Sequence, residues 1–140
     1  MKTLMALIAG VVVLVLSAPA YAHHPFAAEY DWTKPVTLTG TVTKIEWTNP
    51  HAYLYVDAKE QNGQMKHWTF EMGNPGALTR AGWAQNTVKM GDQITVAAWL
   101  AKNKDDRANV KSVKLPDGRE LAGASSISDL RTDKNRPISN

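Results

Sequence analysis

The chain has 140 residues, with 16 basic and 13 acidic side chains and a formal charge of +3. So mild an excess argues against a nucleic-acid binder, which concentrates basic charge in a stripe or patch. There is no cysteine, which excludes disulfides, thiolate metal sites, thiol chemistry and c-type haem attachment, so hydrophobic packing alone must hold the fold.

The first element reads as a secretory leader. Lys2 precedes an apolar run from Leu4 to Leu16, and "SAPAYA" ends in Ala20-Tyr21-Ala22, the small-x-small pattern that signal peptidases cut. The run is shorter than the roughly 20 residues of a membrane-spanning helix. Residues 1–22 are therefore expected to be a signal peptide, leaving no stable membrane anchor after cleavage; an uncleaved anchor is the alternative. The expected location is periplasmic or secreted.

Residues 23–35, which open "HHPFAAEYDWTK", read as an irregular N-terminal lead-in. From Val36 the pattern becomes period two, with Val36, Leu38, Gly40 and Val42 in one phase. The apolar phase then slips by one to Ile45 and Trp47. One extra residue accounts for the slip, so a β-bulge is predicted near Thr43-Lys44. Gly40 fits a strand that bends sharply.

A second strand alternates Ala52, Leu54, Val56 and Ala58 with Tyr53, Tyr55 and Asp57. A third alternates Trp68, Phe70 and Met72 with His67, Thr69 and Glu71. Parity decides the hairpin between them, because cross-strand partners point to the same face. A two-residue Asn62-Gly63 turn would pair Asp57 with Trp68, a carboxylate beside the aromatic core. A three-residue loop, Gln61-Asn62-Gly63, pairs Val56 with Trp68 and Leu54 with Phe70, and puts Gly63 where a left-handed residue is wanted. The three-residue loop is expected.

In "GNPGALTRAGW", Asn74 suits an N-cap, Pro75 the first helical position and Gly82 the C-terminal cap, giving a helix of about two turns. A fourth strand is expected from Gln93 to Ala101 and a fifth from about Val110 to Leu115. "LPDGREL" adds an Asp-Gly turn with a short return. The segment "KNKDDRAN" between the last two strands mixes charges at Lys102, Lys104, Asp105, Asp106 and Arg107, and reads as a solvated loop. Residues 124–140, rich in serine and charge, are expected to be a disordered C-terminal tail.

Three strands, a short helix and two strands predict a mainly β domain over residues 36–123. The expected architecture is a small OB-like five-stranded barrel with one short helix between strands three and four. A β-sandwich competes but usually needs about seven strands.

The strings "AHHPF", "VTLTGTV", "WTNPHAY", "GNPGALTRAGW", "GD" before a strand and "LPDGREL" resemble a family of short exported bacterial proteins, domain of unknown function 6152. The likeness spans roughly His23 to Leu121. It implies an exported, mostly β domain with no established activity. Gly76 stands where the family pattern suggests a polar residue, and "KNKDDRAN" replaces a shorter glycine turn.

Two constellations carry the chemistry. If cleavage follows Ala22, the new N-terminal amine and the His23 imidazole would chelate one metal ion, with His24 or His51 as third ligand. A nitrogen set of this kind suits Cu(II), and resembles the histidine brace of copper enzymes and carriers. Pro25 has no N–H, which removes the alternative of a deprotonated third-residue amide as ligand. Two exposed histidines at a chain start are the plainer reading. The second constellation is the outward face of strands two and three, where Asp57 opposes His67, Tyr55 opposes Thr69 and Tyr53 opposes Glu71. Trp47 and His51 stand at its rim, flanking the Asn49-Pro50 turn. OB barrels commonly bind ligands there, and tyrosines offer an apolar body with a polar tip; a solvated face chosen for β-propensity competes. Trp47 falls in the inward phase, whereas His51 has no evident structural reason.

Trp68, Phe70, Met72, Trp83 and Trp99 read as core. Ser125, Ser126 and Ser128 lie in the tail without a histidine nearby, and no phosphate-cradling glycine loop occurs. The sequence thus supports an exported, non-catalytic binding module for an unknown small molecule, metal or protein. A periplasmic copper-binding protein is the alternative. An oligonucleotide-binding OB domain, suggested by the barrel alone, is opposed by export and weak charge, so no nucleic acid is expected.

Overall fold

A computed structural model describes residues 26–125. The leader, His23, His24 and the tail past Ser125 lie outside the described residues. The elements are α1 (Phe26–Glu29), β1 (Tyr30–Glu46), β2 (Tyr53–Lys59), β3 (Met65–Glu71), α2 (Pro75–Arg80), β4 (Gln93–Ala101), β5 (Arg107–Lys114) and β6 (Glu120–Ala122).

The strands form one sheet in the order β3-β2-β1-β4-β5-β6, and β3 also pairs with β5. β1, β2, β3, β5 and β4 therefore close into a ring. Its ladders are antiparallel except the β3–β5 seam, which is parallel and only three residue pairs long: Thr69 with Arg107, Phe70 with Ala108 and Glu71 with Asn109. β1 makes closure geometrically possible. Its first part pairs with β4 and its last part with β2, and Gly40 and Thr41 pair on both sides. Gly40 is required by close approach, since a Cβ there would lie 2.5 Å from the Asp57 carbonyl oxygen and 2.6 Å from Val56 Cγ1.

The phase slip is observed as a register shift between Val42 and Lys44. The hairpin pairs Val56 with Trp68 and Leu54 with Phe70, and Gly63 takes φ +85°, so parity chose the loop correctly. Asn74 caps α2 by accepting the Ala77 amide at 2.9 Å. The inward phase buries Val42, Leu54, Val56, Phe70, Ile94, Val96, Val110 and Val113, each at or below 1% exposure. Leu78 from α2 and Trp83 close one side of this core, and Trp83 Nε1 donates to the Ala122 carbonyl at 2.8 Å.

Four expectations need correction. The lead-in is not irregular throughout: α1 is helical, and residues 30–35 belong to β1. β5 begins at Arg107, not near Val110, because the seam with β3 draws residues 107–109 into the ladder. Trp99 is not core. It lies in the outward phase of β4, half-buried, with Phe26 packed edge-on at 5.9 Å. Ser125 is buried and bonded to the Val110 carbonyl at 3.4 Å, so it is packed structure and no part of a loose tail.

Candidate functional site: a framed tyrosine pair

The outward faces of β1, β2, β3 and β5 form a lattice of side chains. Glu46, Tyr53, Glu71 and Asn109 make one row, each the register partner of the next. Lys44, Tyr55, Thr69 and Arg107 make the second, and Thr41, Asp57 and His67 a third. Strand alternation puts all of them on one face, opposite the core. The result is two half-buried tyrosines with a carboxylate–cation pair on either side.

On the β1 side, Lys44 pairs with Glu46, and the Tyr55 hydroxyl donates to Glu46 Oε2 at 3.0 Å. Lys44 Nζ stands 5.0 Å from the centre of the Tyr55 ring, within cation–π range. The hydrogen bonds from Lys44 and Tyr55 hold the Glu46 carboxyl below the usual carboxylate range.

The β5 side is more deeply set. Glu71 is buried at 6% exposure. Its Oε2 accepts from Arg107 Nη2 at 2.7 Å and from the Tyr30 hydroxyl at 2.8 Å, and Arg107 Nε donates to the Tyr30 oxygen at 3.1 Å. The three groups close a triangle of charge-assisted bonds, the arrangement that allows a buried carboxylate to persist. Burial, then the Glu71 charge, pushes the Tyr30 hydroxyl far above its ordinary range. Burial alone would lower Arg107, but Glu71 and Tyr30 outweigh it and fix the guanidinium as a cation. Arg107 Cζ lies 5.9 Å from the Tyr53 ring centre. Burial, then Glu71, raises the Tyr53 hydroxyl; burial, then the bond to Glu46, does the same for Tyr55.

In the third row His67 Nδ1 donates to Asp57 Oδ1 at 2.5 Å, with the ring largely exposed. The register brings Tyr53, Tyr55, Asp57 and His67 onto one face as the sequence predicts. His51 continues that face past Glu71, 3.8 Å from its Oε1. A structural reason for His51 now exists: its Nδ1 donates to the Met72 carbonyl at 3.3 Å, just beyond β3. The Asn49–Pro50 bond before it is cis. Trp47 is half-buried and packs against the core, so it supports the rim from within. Among the described residues no group of three His, Cys, Asp or Glu side chains converges to hold a metal.

Sequence reasoning missed Tyr30, Glu71 and Arg107 as a unit. Glu71 was legible as the partner of Tyr53, but Tyr30 sat in a stretch without periodicity and Arg107 in a run of mixed charge. Neither carries a local signal, because the triangle exists only after the ring closes.

Fold and face together define the class: a small, mainly β domain with a closed ring of five strands and a polar, tyrosine-centred outer face. The chain belongs to the family of unknown function DUF6152, whose model matches residues 10–110. The match stops short of the "LPDGREL" segment on which the sequence resemblance also drew. No curated protein matches the chain.

Proposed function

We propose that this is an exported, non-catalytic binding module built on an OB-type barrel, with the tyrosine face as its ligand surface. The ring order β1-β2-β3-β5-β4, the parallel β3–β5 closure and a helix between β3 and β4 support the barrel reading, since the OB-fold is a five-stranded Greek-key barrel. Export and a periplasmic or secreted location are supported by the leader pattern of residues 1–22. The observation that carries the binding reading is the pair Tyr53 and Tyr55, half-buried on β2 and flanked by Arg107 and Lys44. Surface tyrosines of this kind supply contact area at low cost in conformational entropy.

A fragment screen followed by amide-shift mapping tests it. Hits are expected to cluster on Tyr53, Tyr55, Thr69 and their neighbours; hits spread evenly over the surface would sink the reading. Intact mass of protein recovered from the periplasm is expected to begin at His23.

A second reading, copper binding through His23 with His24 or His51, draws support from His51: its Nδ1 is committed to Met72, which leaves Nε2 as the lone-pair nitrogen, the usual preparation of a histidine ligand. Metal analysis of the processed chain decides it, with His23→Ala and His51→Ala each expected to lower copper content.

A further inference from the structure

We infer that the ligand of the tyrosine face is a neutral, hydroxyl-rich oligosaccharide. The inference rests on the proposed reading of this face as the binding surface and adds the chemistry of what lies on it.

Charge is the first argument. The face carries Lys44, His67 and Arg107, and each stands against its own carboxylate: Glu46, Asp57 and Glu71. An anionic ligand would compete with three built-in carboxylates, and a cationic ligand with the Lys44 and Arg107 cations. Arg107 is the most committed, with Nη2 and Nε both bonded. Breaking a partly buried pair of this kind leaves a charge uncompensated, which is costly. A hydroxyl avoids that cost because it donates and accepts at once. It can join the edge of a carboxylate–cation pair without separating it.

The second argument is the shape of the surface. β2 lies between β1 and β3, so its backbone groups are taken up in ladders and an extended peptide cannot add here as a strand. None of the eleven residues in the three rows is aliphatic, so apolar peptide side chains find no pocket. Aromatic rings are what the face offers instead. Tyr53 and Tyr55 are two residues apart on one strand, roughly 7 Å, so neighbouring sugar rings of an extended chain can lay their C–H faces on both. Lys44 is exposed and its surface pair is weak, so its stem can swing aside at little cost. Arg107, held by Glu71 and Tyr30, forms a fixed wall beside Tyr53.

The test titrates the isotopically labelled processed chain, beginning at His23, with five probes. Cellohexaose, maltohexaose and N-acetyl-chitohexaose are the neutral sugars, hexagalacturonate the anionic one, and a neutral polar hexapeptide the alternative polymer. At least one neutral sugar is expected to shift the amides of residues 41–46, 53–57 and 67–71 before any others. Its affinity should be the same at low and high salt, since no net charge is being paired. Tyr53→Ala and Tyr55→Ala should each weaken it about tenfold, while Tyr53→Phe and Tyr55→Phe keep the ring and retain most of the binding. Preference of the same residues for hexagalacturonate or the peptide overturns the sugar assignment and leaves the binding surface standing. A neutral sugar bound away from β2 overturns both. Silence of the face towards all three neutral sugars overturns the inference.

Discussion

Tyr30 shows how one side chain can be made dependent on the fold. It is 2% exposed, with the Phe26 ring tilted against it at 5.3 Å and Glu71 and Arg107 at its hydroxyl. Burial and the adjacent carboxylate raise its pKa, so the folded protein holds the proton that an unfolded tyrosine loses near pH 10. The unfolded state then binds fewer protons than the native one. The stabilising contribution is complete below the ordinary tyrosine range and declines as pH rises from there towards the raised value of the folded state. The melting temperature is accordingly expected to fall above about pH 10, and ultraviolet titration should find Tyr30 ionising only as the fold is lost. Tyr30→Phe should cost about 1–3 kcal/mol at neutral pH, because Arg107 Nε loses its acceptor, and should flatten the alkaline decline. If every tyrosine titrates together in intact protein, the buried assignment fails. Nothing in "EYDWTK" announces this role; its physical basis lies 41 and 77 residues away along the chain.

At the scale of elements, the local signals were reliable because their causes are local. The three-residue hairpin follows from side-chain parity, the bulge from a slipped apolar phase, and α2 from an N-cap and a proline that act within a few residues. β1 joins this class through Gly40, where the strand bends and the β2 backbone comes close. Gly40→Ala forces a methyl group into the Asp57 carbonyl and Val56, and should lower stability by about 1–3 kcal/mol. A denaturant midpoint that moves with an unchanged slope would confirm local overpacking; no movement would mean that β1 and β2 can separate freely at that point. The elements misread, residues 30–35 and 107–109, are those whose strand character comes from a partner. Pro35 and Asn109 oppose strand formation by propensity, and pairing with β4 and β3 overrides it.

At the scale of the whole molecule the weak place is the seam. Three parallel residue pairs join β3 to β5, whereas β1 and β4 share seven consecutive pairs from Pro35↔Trp99 to Thr41↔Gln93. The Glu71–Arg107–Tyr30 triangle lies across that short seam and ties the start of β1 to both of its strands. Glu71→Gln keeps the size but removes the charge that Arg107 answers. Faster amide exchange is expected at Thr69 to Glu71 and Arg107 to Asn109, with β1–β4 exchange unchanged; uniform acceleration throughout the sheet would show that the seam does not open separately.

By itself the sequence determined the strand phases, the hairpin register, the bulge and the capped helix, and with them the face that carries Tyr53, Tyr55, Asp57 and His67. Each depends on steric and hydrogen-bonding rules that operate over one turn or one ladder rung. Only the tertiary structure decided that β3 meets β5, that Tyr30 and Arg107 converge on a buried Glu71, that Trp99 faces outward beneath Phe26, and that His51 has a carbonyl to hold. Those outcomes depend on ring closure, which brings distant residues together through the summed twist of five strands, and no single stretch of chain encodes that.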